Sequence, residues 1–124
     1  MLRQGISHTR EYDENISQAV GIGATVTLFT FQVPSRSVLK IMKFANYTDT
    51  PAAVGTGLTW HINRNGVGVR PYDNILDIIG QSYQPEKVTI AEFRGGDLLT
   101  IVTVNGTLGV VLSGIRILFE LGDS

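Results

Sequence analysis

From Leu98 to Val104 the chain is rich in β-branched residues, with Thr100 and Thr103 as the only polar members. Further on, Ile115, Ile117, Phe119 and Leu121 alternate with Arg116 and Glu120 at a period of two. Such alternation fits strands with one buried face. Gly95-Gly96-Asp97 and Asn105-Gly106 supply residues suited to turns between them. The last third therefore predicts strand, turn, strand, turn, strand, paired antiparallel and needing a second sheet to cover it.

The same reading extends upstream. Ala24 to Val33 predicts a strand with Thr25, Thr27, Phe29, Phe31 and Val33 on one face and Val26, Leu28, Thr30 and Gln32 on the other, stopped by Pro34. Val38 to Tyr47 is a second strand, whose apolar pattern changes phase between Ile41 and Phe44 as a β-bulge requires. Leu58, Trp60 and Ile62 alternate with Thr59, His61 and Asn63, which turns the single tryptophan inward. Asn65-Gly66 predicts a hairpin. Ile75 to Ile79 is too short an apolar run to assign between strand and helical turn, and Val88 to Phe93 predicts a strand. About eight strands at intervals of roughly eight to twelve residues make the fold class all-β, an antiparallel sandwich or barrel.

Residues 1–23 read differently. Arg3, His8, Arg10, Glu11, Asp13 and Glu14 are interspersed with small and polar residues, Tyr12 is the only aromatic, and Gly21-Ile22-Gly23 punctuates the end. With no periodic apolar face, this stretch is expected to be either a frayed terminus or an extended arm that orders against a neighbour through Arg3, His8, Arg10 and Tyr12. The expected organisation is an arm over 1–23 and one sandwich domain over 24–124.

Charge alters that picture more than length does. Asp, Glu, Lys and Arg make up 17% of the 124 residues, against about 25% in an ordinary soluble domain. Ten basic and eleven acidic side chains give a formal charge of -1, and mean hydropathy is +0.13. Little self-repulsion then opposes association. Leu98 to Leu121 holds only Arg116 and Glu120 as charged residues. Leu99, Ile101 and Leu118 share their strands with apolar neighbours of the opposite parity, so both faces are expected to be covered, with these three near a homo-oligomer interface.

Candidate chemistry is sparse. Cysteine is absent, which excludes disulfides, a thiol nucleophile and a thiolate zinc site. His8 and His61 lie outside any metal-ligand spacing, and no two carboxylates are selected as an acid–base pair. Serines are not set in a nucleophile elbow, and Gly21 and Gly23 precede a strand, the wrong order for a phosphate loop. No enzyme, cofactor or metal is expected. Lysines and arginines form no cluster for nucleic acid. No apolar run suits a secretory signal or a bilayer span, so synthesis and folding in a cytoplasm are expected, and the acceptor-like triplets at Asn15, Asn46 and Asn105 read as chance.

The succession Phe31-Gln32-Val33-Pro34, Val38-Leu39-Lys40-Ile41, Thr59 through Gly66, Gly96-Asp97-Leu98-Leu99-Thr100-Ile101 and Val104-Asn105 resembles small jelly-roll proteins of tailed-bacteriophage virions. The resemblance covers roughly residues 24–121. It implies a capsid decoration, or cement, protein on the virion surface, seated on the major capsid protein lattice and commonly trimeric. Head fibres and tail adhesins of the same kind are the alternative. There, Tyr47, Tyr72 and Tyr83 beside the Trp60-proximal loops would face a sugar.

Overall fold

A computed structural model describes residues 9–123 as an all-β sandwich of two antiparallel sheets. Its strands are β1 (Arg10–Val20), β2 (Thr25–Gln32), β3 (Ser37–Thr48), β4 (Leu58–Arg64), β5 (Val67–Gly68), β6 (Glu86–Lys87), β7 (Phe93–Arg94), β8 (Leu98–Asn105) and β9 (Val111–Asp123). The larger sheet runs β1-β9-β3-β6, with β7 also on β3, and the smaller runs β2-β8-β4-β5. Successive long strands thus change sheet at nearly every connection, which is jelly-roll topology.

Side chains of alternate parity from the two sheets meet between them. Leu39, Ile41, Phe44, Ile115, Ile117 and Phe119 face Leu58, Trp60, Ile62, Leu99 and Ile101, all at most 2% exposed. Removing each large side chain from water stabilises the fold by about 1.5–3 kcal/mol. A polar link crosses this core: the Thr103 hydroxyl donates to the Thr59 carbonyl at 2.9 Å and lies 2.8 Å from the Ser113 hydroxyl on the opposite sheet.

The region expected to be an arm contains a strand. β1 pairs with β9 along its whole length, from Arg10 opposite Leu121 to Val20 opposite Val111. Its inward positions are Tyr12, Glu14, Ile16, Gln18 and Val20, so apolar side chains fill only every second one, and the period-two signal drops out of the sequence. That suffices at a sheet edge. The Tyr12 ring stacks on Phe119 at 4.8 Å and meets Phe31 at 5.8 Å. The sheet therefore begins at Arg10, not after residue 23; Arg3 and His8 lie outside the described residues. Charges at Glu11, Asp13 and Glu14 discourage foreign strands from pairing with this edge.

Three other expectations change, one is met, and one open assignment is resolved. A bulge at Leu28 in β2 turns Val26 inward with Phe29 and Phe31 and sends Thr25 and Thr27 outward with Thr30 and Gln32. The bulge expected in β3 is present between Ile41 and Lys43. Residues 88–92 carry no strand, and only Ile75 of the 75–79 run bridges, to Trp60. Strands β8 and β9 lie in different sheets, so Asn105-Gly106 marks a crossover rather than a hairpin.

Candidate interaction surfaces

Among the described residues no three of His, Cys, Asp and Glu are grouped to hold a metal. His61 projects from the outer face of β4, its Nδ1 2.8 Å from the Asp73 carbonyl and its Nε2 2.9 Å from the Thr59 hydroxyl. A carbonyl can only accept, so Nδ1 carries the proton and Thr59 donates to Nε2 in the neutral ring. The carboxylates are engaged in structure. Asp97 accepts from the Arg94 amide at 2.9 Å and from the Asn65 amide group at 3.1 Å, and these bonds hold its pKa below the usual value. Asp13 is held low chiefly by the Arg116 guanidinium, which donates to both its oxygens at 3.0 and 2.7 Å.

The sandwich presents two unlike outer faces. On the five-stranded sheet, Glu11, Asp13, Lys43 and Glu120 rim a groove of about 510 Å³ floored by Met42 and Leu118. On the four-stranded sheet, the outward positions are Thr25, Thr27, Thr30 and Gln32 of β2, Leu98, Thr100, Val102 and Val104 of β8, and Thr59, His61 and Asn63 of β4. None of these carries a formal charge at neutral pH. The expected charge-poor surface is real, but it is this face. Leu99 and Ile101, expected at an interface, are fully buried in the core instead, because β8 turns its other parity outward. Leu118 does face outward, half-buried among charges.

The end of the sandwich where β1, β3 and β8 cross to the other sheet is also apolar. Ile22, Leu108 and Val110 stand there 62%, 96% and 65% exposed. The opposite end carries Arg36, Arg64, Arg94 and Asp97. Arg64 lies over the Phe93 ring at 4.5 Å and donates to the Ala91 and Glu92 carbonyls, while its Nε, 3.5 Å from Asp97, pairs in charge without a hydrogen bond.

A second cleft, about 350 Å³, lies between the 3-10 turn Pro51–Ala53 and residues 78–83. Tyr47 forms part of its wall, its ring lying over Gly114 where any Cβ would overlap it, and its hydroxyl bonded to Asn15. Facing it, Tyr83 sits in a tight turn closed by reciprocal Gln81–Gln84 backbone bonds. Buried Asn46 holds the approach to that turn: its Nδ2 donates to the Asp77 carbonyl at 3.0 Å and its Oδ1 accepts from the Ile79 amide at 2.6 Å. Arg116, anchored by Asp13, reaches the Ser82 carbonyl at 2.8 Å. Of the three tyrosines expected near a sugar, the fold brings Tyr47 and Tyr83 together and packs Tyr72 against the core. Asn46 and Arg116 escaped the sequence reading. A polar residue at an inward position of β3 was the one available signal. Arg10 is exposed on β1, and Tyr12 points into the sandwich.

Compared with known proteins, the chain matches no family model and no curated protein.

Proposed function

We propose that this chain is a structural protein of a phage virion, a capsid decoration protein that assembles as a homotrimer on the major capsid protein lattice. The observation that supports this most is the uncharged outer face of the four-stranded sheet. Threonine and valine there keep a monomer wettable, yet leave no desolvated charge when a second surface covers them. The exposed Ile22, Leu108 and Val110 at one end extend the same character to a second contact region. Jelly rolls also serve in lectins and cupins, so the fold alone does not choose among these.

On this reading the oligomer interface involves the outward residues of β8, Val102 and Val104, in place of Leu99 and Ile101. Sedimentation equilibrium over about a hundredfold dilution is expected to give a mass above that of the monomer. Val102→Lys is expected to shift that equilibrium toward monomer while leaving the thermal transition of the monomer in place. A constant monomer mass throughout, or failure of the wild-type protein to co-sediment with purified capsids, would refute the proposal.

A further inference from the structure

We infer that the cleft between Tyr47 and Tyr83 binds an uncharged saccharide, with Tyr83 as the principal stacking platform. This site stands apart from the capsid reading and requires no particular assembly.

Tyr83 is 77% exposed, which for a flexible loop residue would mean little. Its backbone, however, is tied down from two strands. The Gln81–Gln84 turn closes on itself with bonds of 3.1 and 2.9 Å, Arg116 of β9 grips Ser82 within it, and Asn46 of β3 fixes Ile79 just before it. An exposed aromatic ring on a fixed backbone loses little freedom when it becomes a contact, and so can act as an anchor. Tyr47 is fixed as well, by Gly114 beneath it and Asn15 at its hydroxyl.

The lining selects the ligand class. Pro51, Val54 and Ile78 give an apolar wall, and Thr48, Gln81 and Ser82 give neutral polar groups beside it. Among the described residues no charged side chain lines the cleft, so an ionic ligand would be desolvated without a partner. A pyranose suits both halves. Its C–H face lies against an aromatic ring and its hydroxyls reach neutral donors and acceptors. At about 350 Å³ the cleft is near the small end of the range for ligand sites, room for about one or two sugar rings. A proline-rich peptide, the other uncharged partner that aromatic grooves take, needs a run several residues long. Here the Pro51–Ala53 turn and the Gln81–Gln84 turn flank the space on either side.

The test is a two-dimensional amide NMR titration of the full chain with glucose, galactose, mannose, N-acetylglucosamine and their disaccharides, and separately with a polyproline peptide. At least one sugar is expected to give saturable shifts confined to residues 46–54 and 78–83. Tyr83→Ala is expected to weaken that sugar about tenfold with the melting temperature unchanged, since the side chain is exposed. Val67→Ser, on the opposite end, is expected to bind as wild type. Three results would overturn the inference: no saturable shift at the cleft from any sugar, equal sugar binding by Tyr83→Ala, or peptide binding in place of sugar. Capsid co-sedimentation by Tyr83→Ala is expected to be intact, so loss of one function does not imply loss of the other.

Discussion

The chain contains two Asn-Gly dipeptides in loops at opposite ends of the sandwich, and the fold uses them in opposite ways. Asn65 and Gly66 both have positive φ, 51° and 82°, and turn β4 directly back into β5. Asn65 is exposed; its Oδ1 accepts from the Leu98 amide at 2.8 Å and its Nδ2 donates to Asp97. Asn105 is fully buried at the end of β8. Its Nδ2 donates to the Val20 and Gly109 carbonyls at 3.0 and 2.8 Å, and its Oδ1 accepts from the amide and hydroxyl of Thr107. One dipeptide is chosen for a backbone conformation. The other places a hydrogen-bonding hub beneath the crossover, where it pairs the buried Val20 carbonyl at the end of β1 and ties down the 107–109 loop.

That contrast predicts unequal costs. Asn105→Ala leaves the buried Val20 carbonyl without its side-chain donor and removes the half-buried bonds to Gly109 and Thr107, and is expected to lower stability by about 2–3 kcal/mol. Asn65→Ala loses two solvent-accessible bonds and places alanine at a left-handed φ, for about 1–2 kcal/mol. Urea titrations of the two variants give the comparison directly. Equal midpoints would mean that the crossover has other support and that Asn105 is not its hub.

Glycines beside the two dipeptides sharpen the point. Gly57, at φ 138°, packs against the crossover, and a Cβ there would lie 2.7 Å from the Gly106 carbonyl carbon, backbone that cannot yield without moving β8. Gly57→Ala is expected to cost about 2–3 kcal/mol by overpacking. Gly66, at φ 82°, has open space around its missing Cβ. Gly66→Ala is expected to cost only the conformational term, about 1–2 kcal/mol. If thermal melts rank the pair the other way, the close approach of residues 57 and 106 is looser than described.

Local signals account for what could be read from the sequence. Asn65-Gly66, Gly95-Gly96-Asp97, the phase change in β3 and the alternation around Trp60 each depend on neighbours in the chain, and each is where the sequence placed it. The failures are long-range. Asn105-Gly106 carries the same dipeptide signal as the hairpin, and only the partners Val20 and Gly57, far off in sequence, distinguish its role. In β8 both parities are apolar, so nothing local says that Leu99 and Ile101 face the core while Val102 and Val104 face out. In β1 apolar residues recur every fourth position, a spacing that suits a strand only once β9 lies beside it. The tyrosine cleft was half legible: tyrosines among polar loop residues were visible, but the arginine and asparagine that fix the Tyr83 loop act across 34 and 33 residues of chain.

Acid should separate the two ends as well, by the smallest of these effects. Below its usual range, the Asp97 carboxyl is held ionised by the Arg94 amide first and then by Asn65. An unfolded aspartate takes up its proton near pH 4, before the folded one does, so this contribution is fully present above that pH and is lost as pH falls through the lower folded value. Asp13, lowered by Arg116, acts in the same direction. The bonds around Asn105 involve no ionisable group. In hydrogen exchange below about pH 4, corrected for the intrinsic rate, protection of the Arg94 amide is expected to fall before that of Gly106 and Thr107. Asp97→Asn is expected to lower Arg94 protection at neutral pH and flatten its acid dependence, leaving Gly106 and Thr107 as they were. If protection at both ends falls together at mildly acid pH in the wild-type chain, the sandwich opens as one unit and the charged turn has no acid response of its own.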